Sequence, residues 1–210
     1  MTCDYCSFNV ENVAEVNYVI EGSKYEYVDL GLPSGTLWAT YNIGATKPEE
    51  IGNYFAWGET ESRETYSESN YEWYSEVSGY MKYNSYKDTL KTLQPKDDVA
   101  TVRWGADWRM PTQEEIVELT ENCQMKIMEI NGVRCGKFIG PNGETLILPA
   151  AGGIYRSENI TGLDGVYWSS SLYEKSETLA YTLFFSAKDM KRNTYYRYAA
   201  FPVRAVRAKK

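Results

Sequence analysis

From residue 25 onward, apolar and polar positions alternate in short runs, interrupted by two helical patterns and one long aperiodic stretch. Residues 25–30 read as a strand that stops at the Gly-Leu-Pro-Ser-Gly turn of 31–35. Residues 36–41 read as a second strand, and 53–57 as a third aromatic segment before the Gly58-Glu59-Thr60 turn. Asp97 or Asp98 can cap a short helix that runs to Trp104 and is closed by Gly105. Thr112 and Glu115, after Pro111, form a T-x-x-E capping box. Ile116, Leu119 and Cys123 then share one helical face, with Glu114, Glu118 and Glu121 elsewhere. Beyond Lys126 only strands and turns follow: Asn131-Gly132 and Pro141-Asn142-Gly143 mark hairpins, and further strands read at 166–171, 179–186 and 200–207. A block of helices followed by a run of strands predicts an α+β fold with two short helices and mainly antiparallel sheets.

The stretch 61–96 breaks this pattern. It is built of Tyr, Ser, Glu, Asn and Lys without helical or strand period, and loops of that length are uncommon inside a compact domain. Seven tyrosines between Tyr54 and Tyr86 nevertheless argue against disorder, because disordered segments are poor in aromatics. Residues 1–24 are mixed and polar and read as an extension. A chain of 210 residues suffices for one sizeable core, so 25–210 is expected to form a single domain with an insertion at about 61–96.

Composition narrows the chemistry. Histidine is absent, which removes the usual general base, the Ser-His and Cys-His pairs and most zinc, copper and non-haem iron sites. No metal or other cofactor is expected. A net charge of −7 is wrong for binding a polyanion, but the charge is uneven. Between Ala45 and Glu76 stand eight glutamates against Lys47 and Arg63, whereas 188–210 hold eight Lys or Arg against Asp189. A solvated acidic face and a basic end explain this better than a nucleic-acid site, although tyrosines among the basic residues also fit a base-stacking platform. No apolar run reaches the length of a membrane span, and no basic-then-apolar leader precedes Cys3. Cys3 and Cys6 form a lone CxxC with no partner set for zinc. Cys123 and Cys135 can bridge if their Cα atoms lie within about 7 Å; the favoured reading makes Cys123 a small buried hydrophobe.

Six strings, in order, carry a resemblance. They are Val-Asp-Leu-Gly-Leu-Pro-Ser-Gly-Thr-Leu-Trp-Ala-Thr (28–40), Gly-Asn-Tyr-Phe-Ala-Trp-Gly-Glu-Thr (52–60), and Trp-Arg-Met-Pro-Thr (108–112) with Glu114 and Glu115. Leu-Pro-Ala-Ala-Gly (148–152), Tyr-Trp-Ser-Ser-Ser (167–171) and Val-Arg-Ala-Val-Arg (203–207) complete the set. Together they resemble the Fibrobacter succinogenes major paralogous domain family, common in gut bacteria of the Bacteroides type, over roughly 25–208. The resemblance implies a C-type lectin-like fold, related to formylglycine-generating enzymes and to the variable proteins of diversity-generating retroelements. Such a fold pairs its first strand with its last, here 25–30 with 203–207, and makes Trp38, Trp57, Trp104, Trp108 and Trp168 core aromatics. The calcium-site strings of sugar-binding lectins are missing, Gly140-Pro141-Asn142-Gly143 being a plain turn, and no cysteine follows Cys135 to serve formylglycine chemistry.

Variable proteins display their ligand-facing residues just before the final strand. That stretch, 173–201, places Tyr173, Tyr181, Asn193, Tyr195, Tyr196, Arg197 and Tyr198 as candidate ligand-binding residues, with 193–198 lying between strands. Tyrosine gives large amphipathic contact at low entropy cost, and Arg and Asn give adaptable hydrogen bonds. Tyr181, Phe184 and Phe185 equally suit packing on one face of a strand. The leading expectation is therefore a noncatalytic binding module, adhesin-like or variable-protein-like, for a protein or glycan ligand. It is not expected to bind nucleic acid or span a membrane, and its oligomeric state stays open. A structural subunit of a bacterial surface assembly is the alternative. A carboxylate enzyme drawing on the acids of 49–76 ranks last. Relatives imply a cell-surface or secreted location, with a cytoplasmic or phage-borne one as the alternative.

Overall fold

A computed structural model describes residues 24–84, 87–155, 158–160 and 162–209. The Cys3/Cys6 pair and the expected extension, Lys24 apart, lie outside the described residues. The strands are β1 (Tyr27–Asp29), β2 (Leu37–Ala39), β3 (Phe55–Ala56), β4 (Tyr74–Ser75) and β5 (Gly79–Tyr80), followed by helices α1 (Val99–Trp104) and α2 (Gln113–Asn122). After the helices come β6 (Gln124–Ile130), β7 (Val133–Ile139), β8 (Thr145–Pro149), β9 (Gly153–Tyr155), β10 (Glu158–Ile160) and β11 (Gly165–Leu172). The last four are β12 (Leu179–Phe185), β13 (Met190–Tyr196), β14 (Ala200–Phe201) and β15 (Val206–Arg207). The architecture is α+β with two short helices and mainly antiparallel sheets.

Local chemistry accounts for many boundaries. The Asp98 carboxylate accepts from the N–H groups of Ala100 and Thr101 at 2.9 and 3.1 Å, starting α1, and Gly105 at φ +95° ends it. At the start of α2, Thr112 Oγ1 accepts from Glu115 N (3.3 Å) while the Glu115 carboxylate accepts from Thr112 N (2.8 Å). That carboxylate also takes both Arg109 Nη atoms at 2.6 Å and the Thr36 hydroxyl at 2.8 Å. Burial pushes Glu115 toward protonation, but these donors, Arg109 first, hold its carboxyl below the ordinary value. Asn131 and Gly132, both at positive φ, turn β6 into β7, and the Pro-Asn-Gly segment turns β7 into β8.

The first and last strands enter one sheet, ordered β1-β2-β15, so they do not pair directly: β2 lies between them. The stretch 200–207 is likewise not one strand. Pro202, which has no N–H to donate, divides it, so β14 joins the sheet β10-β9-β14-β3 and β15 joins the terminal sheet. Of residues 193–198, only Arg197 and Tyr198 lie between strands, because 193–196 belong to β13, which pairs along its whole length with β12 in the sheet β11-β12-β13. The stretch 61–96 folds around short elements, two 3-10 turns (Glu68–Asn70 and Pro95–Asp97) and the β4–β5 hairpin.

Three apolar clusters fill the interior. Ile116, Leu119 and Cys123 pack with Trp38, Phe138, Leu146 and Val206 under α2. Trp57, Trp108, Trp168 and Phe201 occupy the centre, with Trp104 half-buried against them and stacked on Tyr25 at 4.2 Å. Tyr66, Tyr71, Tyr80 and Tyr198 form the third, beside Ala56 and Ala200. Each full burial of such a side chain contributes about 1.5–3 kcal/mol. Cys123 and Cys135 are both buried and free, not bridged; burial raises their thiols to about 11 and about 12.

Candidate functional site

The chain leaves β13 through Tyr195, Tyr196, Arg197 and Tyr198, then turns (Ala199 N to Tyr196 O, 2.9 Å) into β14. Because β14 pairs with β9, Tyr155 at the end of β9 meets this segment. The Tyr155 ring stacks on Tyr196 and on Tyr198, each at 5.8 Å, and stands edge-on to Tyr195 at 5.5 Å. Tyr196 and Tyr198 also stack on each other at 5.4 Å. Such pairs add roughly 0.5–1.5 kcal/mol each beyond the area they bury. Burial, with Tyr155 and Tyr196 beside it, raises the Tyr195 hydroxyl above its ordinary value.

A depression lies on each side of these rings. The first is a mostly apolar cleft of about 200 Å³ lined by Tyr155, Tyr195, Val166, Phe184 and Phe201, with Asn193 and Asp164 as polar groups. Its glycine floor is obligatory, since a Cβ on Gly153 would come within 2.1 Å of the Phe201 ring and 2.7 Å of Ala200 O. Leu163, 64% exposed, also lines it. The second is a polar hollow of about 390 Å³ bounded by Tyr198, Tyr74, Glu68 and Glu76 with Ser67 and Ser69.

The seven expected ligand-binding residues separate into three groups. Asn193 and Tyr195 line the cleft, Tyr196 is 43% exposed, and Tyr198, itself buried, walls the hollow. Tyr173 and Tyr181 pack edge-on at 5.3 Å elsewhere, and Arg192 covers the Tyr181 ring at 4.6 Å. Tyr181 is a packing residue: it is buried, and burial with its bond to Glu174 (2.7 Å) raises its hydroxyl to about 12. The alternation of β12 and β13 sets Tyr181 opposite Thr194 and Asn193 opposite Thr182, so Tyr181 and Asn193 belong to opposite faces of the sheet.

Arg197 is a correction of larger consequence. It is wholly buried and presents nothing to a ligand. Its guanidinium donates to Lys82 O (3.0 Å), Glu177 O (2.9 Å) and the Tyr71 hydroxyl (3.1 Å), and it lies 4.8 and 4.9 Å from the Trp57 and Tyr80 ring centres. Tyr71 OH in turn donates to Trp57 O at 2.6 Å. Arg197 thereby anchors the stretch 61–96 to the sheets and fixes the backbone between Tyr196 and Tyr198.

Arg204 and Arg207 are likewise unavailable as a stacking platform. Arg204 is buried and donates to the carbonyls of Ala39, Thr40 and Ile147 and to Asn42 Oδ1, while Arg207, also buried, covers Tyr27 and Trp108. Tyr155 was not legible as a site residue. It stands alone in a Gly-Gly-Ile-Tyr segment with no period, and only the β9–β14 pairing brings it to the cluster. Glu68 and Glu76 were visible as acids, but their shared hollow depends on the β4–β5 hairpin.

Among the described residues no three Asp, Glu, Cys or His side chains converge as a metal site, and no helix is long and apolar enough to cross a membrane. Comparison with protein-family models, with curated proteins and with solved structures finds no match.

Proposed function

We propose that the chain is a noncatalytic ligand-binding domain that presents its tyrosine cluster, with the two flanking depressions, to a protein or glycan ligand. The observation that carries this reading is the placement of Tyr155, Tyr195, Tyr196 and Tyr198 between a concave apolar cleft and a concave polar hollow. Preorganised aromatic rings beside a few polar groups are what a recognition surface needs. Three of the five exposed large apolar side chains among the described residues, Val77, Leu163 and Tyr196, belong to the segments that build this region. The resemblance to the Fibrobacter succinogenes family, with its adhesin-like and variable-protein-like relatives, agrees with such a role at a cell surface.

The hollow's two carboxylates also bear on a glycan-active enzyme. Glu68 accepts from the Tyr80 hydroxyl (2.9 Å) and Glu76 is exposed. Because Glu76 is exposed and the hollow that holds both groups is polar, they suit charge recognition better than proton transfer.

A glycan and protein-ligand array with the native chain, Y196A and N193A tests the reading. Binding by the native chain that falls at least tenfold in both variants, whose thermal unfolding is unchanged, supports it. Equal binding by all three overturns it, and turnover of an aryl glycoside that is lost in E68Q would favour the enzyme.

A further inference from the structure

The hollow carries charge that aromatic recognition alone does not use. Glu68 and Glu76 line it together with the Ser67 and Ser69 hydroxyls and the Tyr74 and Tyr198 rings, and none of these lining residues is basic. The parts are held in place. Tyr74 stands edge-on to Tyr80 at 5.5 Å, and Tyr80 donates its hydroxyl to Glu68, so ring and carboxylate are fixed relative to one another. Tyr198 is clamped by stacking on Tyr155 and Tyr196. Of the neighbouring cations, Arg63 is engaged by the Glu59 carboxylate and the Asn70 carbonyl, and Lys87 donates to Ser78 O (2.7 Å) in the β4–β5 turn.

Ring faces and carboxylates both attract an organic cation, and the carboxylates and hydroxyls accept from its N–H groups. A neutral sugar would use the rings and hydroxyls while leaving the two charges without a counterpart, and an anion would be repelled. Beside the hollow, Val77 is 95% exposed in the turn between β4 and β5, the hairpin that supplies Tyr74 and Glu76. A small free cation makes no use of that side chain, whereas a protein surface covers it as the cation enters.

We propose that the hollow receives the ammonium or guanidinium head of a lysine or arginine side chain presented by a protein ligand, with an apolar neighbour of that residue packing against Val77. This deepens the reading of the tyrosine cluster as a recognition surface and rests on it.

The test is an NMR titration of the full chain with acetyl-leucyl-lysine methylamide, with choline, and with the uncharged choline isostere 3,3-dimethyl-1-butanol. Both cations are expected to shift Tyr74 and Tyr198 resonances, the peptide more tightly, while the isostere leaves them unmoved. Two surface charges of this kind contribute up to about a tenfold change in affinity, so E68Q/E76Q is expected to weaken peptide binding by about that factor. Raising the salt from low to about 0.3 M weakens binding to the native chain, a readout that needs no variant.

Equal binding of the isostere, undiminished binding by folded E68Q/E76Q, or indifference to salt each overturns the cation site. Choline binding as tightly as the peptide overturns the protein source. An array signal lost in Y196A but intact in E68Q/E76Q leaves the recognition surface standing and removes this inference alone.

Discussion

The half of the molecule under α2 and the half around Arg197 are held together by different physics. Under α2, Ile116, Leu119, Phe138 and Leu146 bury apolar side chains against one another, and polar bonds such as Glu115–Arg109 sit at the margin. Around Arg197 the buried groups are tyrosines, and their hydroxyls are spent on directional bonds: Tyr71 to Trp57 O, Tyr66 to Tyr54 O (2.7 Å), Tyr54 to Ala151 O (2.6 Å). Burial raises all three hydroxyls, Tyr54 to about 12. The first half tolerates small shifts, because apolar contact is not directional. The second has hydrogen-bond geometry to satisfy at every ring, which suits a region that must keep exposed aromatics in a fixed arrangement.

The sharpest way to break that contrast is Arg197→Met. It removes the donor of four carbonyl or hydroxyl bonds in the interior and should destabilise by about 3–5 kcal/mol in urea unfolding. A loss under 1 kcal/mol would show that the tyrosines hold this half unaided. Leu119→Ala should cost about 2–4 kcal/mol through cavity formation. Combined with Arg197→Met, it should add to within about 0.5 kcal/mol if the halves are independent; strong coupling would merge them into one. Tyr71→Phe deletes one hydroxyl that both donates and accepts, with an expected loss of about 1–2 kcal/mol, whereas an apolar explanation of this half predicts almost none.

The smallest effect is read from pH. Glu115 is held below its unfolded value, so its stabilisation is present above that unfolded value, near 4.3, and is lost as pH falls through the folded one. Glu59 is raised, mainly by burial against its bonds to Glu72 N and Arg63, so stability falls as pH rises from its unfolded value through its folded value. Glu115→Gln and Glu59→Gln should therefore change the acid limb of the stability curve in opposite directions, as followed by thermal unfolding between about pH 3 and 6. Changes of the same sign would refute the contrast between the two carboxylates.

What was legible in the sequence follows the same division. Caps and hairpin turns are local, so Asp98, Thr112 with Glu115, and Asn131-Gly132 could be read from neighbours alone. β13 could not. Its Lys191, Arg192 and Asn193 are exposed, and Arg192 donates to Gln113 of α2 at 2.5 Å, so no apolar stripe marks the strand. The buried tyrosines of 61–96 were hidden because their hydroxyls make them resemble surface residues until the accepting carbonyls are known. Arg197 reads as a surface residue in the company of Tyr196 and Tyr198, and it is placed inside by contacts far along the chain, most of them to residues more than 100 positions away. The cluster with Tyr155 has the same long-range origin.

The sheet β1-β2-β15 carries a kinetic consequence. Trp38 pairs with Val206, so one of the earliest strands waits for one of the last before its ladder is complete. Pairings of such sequence separation slow folding, because a long loop must close before any contact rewards it. During synthesis the Trp38 edge stays open until residue 206 leaves the ribosome, so the sheet closes in one late step rather than gradually.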